Sequence, residues 1–210
     1  MVIGNRLLVI FSLQSKLPYN VPRETITKNY IMTAEEVKNA IRNVPDFPIK
    51  GIQFKDITTA LARHDCLCWM KEEIVKRYKD VGITQVVGIE SRGFILAPAV
   101  AMEIGAGFVP IRKHNKLPAE TVSVTYAKEY GDDTIQIHKD ALNENDIVLI
   151  HDDILATGGS MEAAIQLVKK LGVKKIYVNC IIELEGLNGR EYLKGKAENV
   201  DCLFGIEVCE

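Results

Sequence analysis

From Ile83 onward, short apolar runs alternate with stretches of helical periodicity, and this alternation limits the fold more than any other feature of the chain. "ITQVVGI" reads as a buried strand, "GFILAPAVAMEIG" as a helix and "GFVPI" as a second strand. "DIVLIHD" is again a strand, followed by the helix "SMEAAIQLVKKLG" and the strand "KIYVNCII". Met161, Ala164, Ile165, Val168 and Leu171 fall on one face of that helix, and Lys169, Lys170 and Gly172 suit its C-terminus. Strands of this kind, separated by helices, fold as a parallel sheet covered on both sides. The expected class is α/β, a central parallel sheet flanked by helices.

One stretch breaks the rhythm. "TVSVTYA" and "DDTIQIH" alternate apolar and polar residues, with "KEYG" between them. That pattern predicts a β-hairpin with one face in water, set off from the main sheet.

The acidic pair inside "IVLIHDDILATGGS" carries the first chemical signal. Buried carboxylates are costly unless they bind something. A strand ending at Asp152 and Asp153, turning through Ala156, Thr157, Gly158, Gly159 and Ser160 into a helix, presents backbone N–H groups at a positive helix end. That is an anion site, most naturally for a phosphate. The glycines let the backbone approach closely, so a branched side chain at Gly158 is expected to fill the phosphate's place. Thr157 and Ser160 add hydroxyl donors. No lysine follows the glycines, so the loop is not a Walker A sequence. Carboxylates repel phosphate but accept hydrogen bonds from sugar hydroxyls, so a ribose diol bearing a 5′-phosphate satisfies both halves of the motif.

"VLIHDDILATGGS" resembles the phosphoribosyl-pyrophosphate signature of the type I phosphoribosyltransferases. "FPIKGIQFKDIT", "GIESRGFILAPAVAMEIG", "IRKHNKLP" and "TYAKEYGDDTIQIHKDAL" are similar, in order and spacing, to the adenine phosphoribosyltransferases of that family, from about Met32 onward. The resemblance implies a small hood at about residues 32–60 and a flap at about 117–138. It implies transfer of a 5-phosphoribosyl group from phosphoribosyl pyrophosphate to adenine with Mg²⁺, in a homodimer. Phe54 would stack on adenine while backbone groups of Gln53 and Lys55 read its edge. Arg92, Arg112, Lys113 and Lys116 are the candidate clamps for pyrophosphate. Arg92 stands out because it also lies between a strand end and a helix start. Glu129, with Tyr130 beside it, would sit near the imidazole nitrogens of adenine and accept or share a proton. The peptide between Glu90 and Ser91 would be cis. Lys50 and Lys55 stand where many members carry proline and arginine, and His151 where an aliphatic residue is usual. Two rivals stay open: a transferase for another purine such as xanthine, and a non-catalytic regulator that senses phosphoribosyl pyrophosphate.

Composition fits these expectations. The chain has 210 residues, 47% hydrophobic and 26% charged, with a net charge of −2, enough for one sizeable core and too little basic bias for a general nucleic-acid binder. Cys66, Cys68, Cys180, Cys202 and Cys209 show no zinc spacing and read as reduced cytoplasmic thiols. No apolar run reaches the length of a membrane span. Met1 to Ile31 differ from the rest of the chain, with "RLLVIF" giving way to a polar, proline-containing stretch. They are expected to be a non-catalytic extension before the domain at 32–210. There "TAEE" gives a capping box, with Thr33 as cap and Glu36 three residues on.

Overall fold

The capping box forms as the sequence predicts. In this computed structural model, which describes residues 32–128 and 131–208, the Thr33 hydroxyl accepts from the Glu36 N–H at 3.3 Å. Glu36 accepts in return from the Thr33 N–H at 2.9 Å, and helix α1 (Ala34–Asn39) begins there. Strands β1 (Arg42–Pro45) and β2 (Gln53–Asp56) pair antiparallel as a ribbon of their own, with Val44 opposite Phe54. Helices α2 (Thr58–Leu61) and α3 (His64–Tyr78) lead into the main sheet.

That sheet is built from β3 (Gln85–Ile89), β4 (Gly107–Lys113), β5 (Thr121–Lys128), β6 (Gly131–His138), β7 (Ile147–Leu155), β8 (Lys175–Glu185) and β9 (Asn199–Glu207). Helix α4 (Gly93–Ile104) joins β3 to β4, α5 (Gly159–Lys170) joins β7 to β8, and the short α6 (Gly189–Tyr192) precedes β9. The spatial order is β5-β6-β4-β3-β7-β8-β9. β4, β3, β7, β8 and β9 run parallel, while β6 is antiparallel to β4 and to β5.

Alternation along the strands feeds two cores. Val87, Val148 and Ile150 pack with Ile165 and Val168 of α5. Val86 and Leu149 face the other way, onto Met70 and Ile74 of α3 and Leu96 and Val100 of α4. Each such aliphatic side chain, fully buried, contributes about 1.5–3 kcal/mol, so both faces hold the sheet.

From β3 the chain crosses to β4 on one side, and from β7 to β8 on the other. The strand order therefore reverses between β3 and β7, and ligands of open α/β sheets bind outside the carboxyl ends of strands at such a point.

Three expectations are corrected. β7 does not end at the aspartates but continues to Leu155, because Ile154 and Leu155 still pair with Ile182 and Glu183. β4 likewise runs on through Arg112 and Lys113, which pair with Gln136 and Ile135. Those same two pairs join the hairpin to the main sheet rather than setting it apart. Val124, Ile135 and Ile137, at the base of the hairpin, are buried in the α5-side core.

Candidate active site

The carboxyl ends of β3 and β7 are drawn together by a missing side chain. A Cβ on Gly93, at the start of α4, would lie 2.5 Å from the His151 carbonyl oxygen, so only glycine lets the helix come this close to β7. The preceding Glu90–Ser91 peptide is cis, as the family resemblance implied. Arg92 comes next, and its Nε donates to the Asp153 carboxylate. Asp153 is 3% exposed, whereas the Arg92 side chain is 41% exposed, so the pair runs from the interior to the cleft.

The ribbon strand β2 reaches Arg92 through Phe54. The Arg92 guanidinium carbon lies 5.6 Å from the centroid of the Phe54 ring, and Phe47 meets that ring edge-on at 5.2 Å. Three distant segments, around Phe54, Arg92 and Asp153, thus converge. Strand alternation turns Gln53 and Lys55 away from Phe54. Asn43 ties them together, donating to Gln53 Oε1 at 2.7 Å and accepting from Lys55 Nζ at 2.9 Å. Only their backbone is available to a ligand stacked on Phe54.

Asp152 lines a cleft of about 520 Å³ together with Asp153, Glu90, Ser91, Arg92, Lys113 and Ser160. The Asp153 N–H donates to Asp152 Oδ1 at 2.9 Å. Burial, followed by the adjacent Asp153 charge, pushes the Asp152 carboxyl well above the usual carboxylate range, and Arg92 opposes the shift only in part.

Beyond Asp153 the chain forms a small cradle lined by Asp152, Ala156, Thr157, Gly158 and Ser160. Gly158 is the N-cap residue of α5 with φ 90°, so no side chain caps the helix and its first N–H groups stay available to an anion. The glycines divide the work differently from the expectation. A Cβ on Gly158 would point at Tyr192 Cδ1, 3.0 Å away, and at Leu193, behind the loop. A Cβ on Gly159 would meet nothing within 4 Å. Gly158 is required by its positive φ and by the packing behind it, not by space for a phosphate.

The basic residues separate. Lys113 lines the cleft, with Nζ 3.7 Å from Asp133 Oδ2. Arg112 instead gives its Nε to Glu90 Oε2 at 3.0 Å and stands 6.0 Å from the centroid of the Phe94 ring, outside the cleft lining. Glu90 also accepts the Lys113 N–H at 2.8 Å, and Arg112 chiefly holds its carboxyl below the usual range. Glu90 therefore fixes the end of β4. Lys116 is exposed in the turn after β4 and is not brought to the cleft. Glu129 and Tyr130 lie outside the described residues. Sequence reasoning gave no role to Glu90, Ser91, Tyr126 or Asp133, which all line the cleft. Tyr126 and Asp133 face each other across the hairpin, a register that alternation could have yielded.

The family model described as "Phosphoribosyl transferase domain" matches residues 69–204. The adenine phosphoribosyltransferase of Bacteroides fragilis is 61% identical over 161 residues, which are 77% of this chain and 90% of that protein. The adenine phosphoribosyltransferase of Shewanella amazonensis is 43% identical over 174 residues, 83% of this chain and 92% of that one. Among solved structures, the Giardia lamblia APRTase complexed with 9-deazaadenine superposes with a TM-score of 0.81 at 44% identity, covering 84% of this chain and 99% of that chain. The adenine phosphoribosyltransferase of Trypanosoma brucei, in complex with AMP, pyrophosphate and ribose 5-phosphate, gives a TM-score of 0.73 at 26% identity, over 82% and 78%. The chain belongs to the phosphoribosyltransferase family, and its similarity to the adenine phosphoribosyltransferases extends over most of its length.

Proposed function

We infer that the protein transfers the 5-phosphoribosyl group of phosphoribosyl pyrophosphate to adenine, giving AMP and pyrophosphate in purine salvage. The observation that carries this is the meeting of Arg92 and the Asp152–Asp153 pair in one cleft, with the Phe54 ring against Arg92 and a helix start left open to an anion beside them. The names of the relatives favour adenine over xanthine as the base, and an enzyme over a sensor.

Adenine stacks on Phe54, with backbone groups of Gln53 and Lys55 at its edge. The 5′-phosphate takes the N–H groups at the start of α5, with Thr157 and Ser160 beside it. Asp152 accepts from the ribose diol. Asp153 acts largely through Arg92, whose side chain it orients along the cleft toward the leaving pyrophosphate. Lys113 adds a second cation there. As the bond from ribose carbon 1 to pyrophosphate breaks, that carbon becomes oxocarbenium-like and adenine N9 attacks it. The hairpin shields the carbon from water, and Glu129 takes or shares the purine proton.

Mg²⁺ fits this donor set. Among the described residues no group of three His, Cys, Asp or Glu side chains would hold a metal alone. Of the cleft's carboxylates, Glu90, Asp133 and Asp153 already face Arg112, Lys113 and Arg92, which leaves Asp152 to an ion that arrives bound mainly to substrate oxygens. Bound there, it would neutralise charge on the pyrophosphate.

Residues 32–60 are assigned as the hood, 117–138 as the flap and 1–31 as a non-catalytic extension. Two copies are assigned to pair through α4, where Ile95 and Met102 lie on one face, 44% and 77% exposed. The free cysteines Cys66, Cys68, Cys180 and Cys202 suit the reducing cytoplasm, and no described helix is long and apolar enough to cross a membrane. Incubation with phosphoribosyl pyrophosphate, Mg²⁺ and a panel of purines tests the activity. AMP and pyrophosphate should form with adenine; product from xanthine alone, or from no base, would overturn the assignment.

A further inference from the structure

Behind the cradle, on the side away from the cleft, α6 is pressed against the loop. A Cβ on Gly189 would lie 2.1 Å from the Ala156 carbonyl oxygen, and the Tyr192 ring covers the Cα side of Gly158. Arg190 anchors this helix, donating to Glu183 Oε2 at 2.9 Å and to the Val200 carbonyl at 2.6 Å. From that platform two side chains reach a single carboxylate. The Tyr192 hydroxyl donates to Glu162 Oε2, and Lys196 Nζ donates to Glu162 Oε1 at 2.6 Å. Lys196 Nζ also lies 3.8 Å from the centroid of the Tyr192 ring.

Glu162 sits in the first turn of α5, whose open end faces the cradle. A carboxylate there suits the helix dipole but opposes any anion bound at the same end. Partial burial limits screening by solvent, since the side chains of Lys196 and Glu162 are 31% and 23% exposed. Lys196, then Tyr192, hold the Glu162 carboxyl below its usual range, so it stays ionised and its charge must be met by a partner.

We propose that Lys196 is a positioning and charge-compensating residue that, with Tyr192, neutralises Glu162 and thereby sets the affinity of the cradle for the 5′-phosphate end of substrate and product. The proposal rests on the assignment of the cradle to the 5′-phosphate. It predicts effects of opposite sign from the two partners of one salt bridge, which a purely structural bridge does not produce.

The test is calorimetric titration of AMP into the full-length protein, with adenine as the control ligand. Lys196→Met exposes the Glu162 charge and should weaken AMP about fivefold, the effect of one partly screened unit charge at about 8 Å. Glu162→Gln leaves Lys196 uncompensated and should tighten AMP by about the same factor. The double variant should return near wild type, both shifts should shrink in high salt, and adenine affinity should not move. Weakening by both single variants, with no recovery in the double and a lowered melting temperature, would make the cluster a structural brace and overturn the proposal. Unchanged AMP affinity in both would overturn it as well. Wild-type protein that fails to bind AMP would instead remove the functional assignment on which the proposal rests.

Discussion

Replacing Asp152 with asparagine should make the unliganded protein more stable and a worse enzyme. Asp152 and Asp153 are successive carboxylates beside a single guanidinium, and burial and mutual repulsion both disfavour the Asp152 charge. Two unit charges about 5 Å apart at an effective dielectric of about 20 repel by about 3 kcal/mol. The attraction of Arg92 offsets part of this, leaving about 1–2 kcal/mol to be gained by a neutral isostere. Asparagine keeps the oxygen that accepts the Asp153 N–H, so local geometry has no reason to change. The sign with pH comes from the raised carboxyl. The folded protein holds the Asp152 proton more tightly than the unfolded chain. The stability this group supplies is therefore present below about pH 3.9 and lost as pH rises through the folded value. An asparagine side chain does not titrate, so the advantage of the variant should vanish near pH 4 and grow as pH rises toward 8. Urea unfolding without ligand at both pH values measures it, and steady-state turnover measures the loss. One charge-assisted hydrogen bond to the ribose diol is worth about 1.5–3 kcal/mol, or about tenfold to a hundredfold in rate. A variant less stable than wild type at pH 8, or one whose advantage persists at pH 4, would refute the electrostatic account.

Gly158→Ala should cost about 1–3 kcal/mol, since φ is 90° and the new methyl meets Tyr192, whereas Gly159→Ala should leave the melting temperature almost unchanged. Phe54→Ala should raise KM for adenine by about fivefold to a hundredfold, the range of one base–aromatic stack, while KM for phosphoribosyl pyrophosphate changes far less. His151 is buried against Asn179, with Nδ1 at 3.1 Å from Oδ1, and burial pushes it down to about 4. Between about pH 6.5 and 4 the unfolded chain takes a proton that the folded protein refuses, so this group removes up to about 3 kcal/mol as pH falls. Replacing His151 and Asn179 together by leucine should flatten that part of the acid unfolding profile measured in urea.

The parallel core was legible because β3 and β7 are buried on both faces and α5 carries an apolar face of regular period. Thr33 and Glu36 announced α1 in the same way. Helix α3 was missed: Cys66, Met70, Ile74 and Tyr78 form a narrow stripe of modest hydrophobicity among charges. Strand β9 was missed because Asp201 and Gly205 interrupt its apolar residues, which include Cys202, Leu203 and Phe204. The anion loop could be read because backbone donors need only a strand, a glycine turn and a helix in sequence. The Arg92–Asp153 pair could not, since it joins residues 61 apart through the three-dimensional path of β3 and β7. The turning away of Gln53 and Lys55 is a consequence of strand alternation and was within reach.

The hairpin's attachment sets how a cover over the cleft could work. β6 meets β4 through Arg112–Gln136 and Lys113–Ile135, with the His114 N–H donating to the Thr134 carbonyl just beyond, and Val124, Ile135 and Ile137 are sealed in the core beneath. A swing of the whole ribbon would have to expose that apolar wall to water, which restricts low-energy motion to bending beyond Thr125 and Thr134. Amide hydrogens should then fall into two classes along the same two strands. Those near Val124 and Ile137 should exchange only when the sheet itself opens, and those toward Tyr126 and Asp133 orders of magnitude sooner. Because Lys113 sits on the last rung of β4, opposite Ile135, the boundary between the slow and fast classes falls beside a cation of the cleft wall.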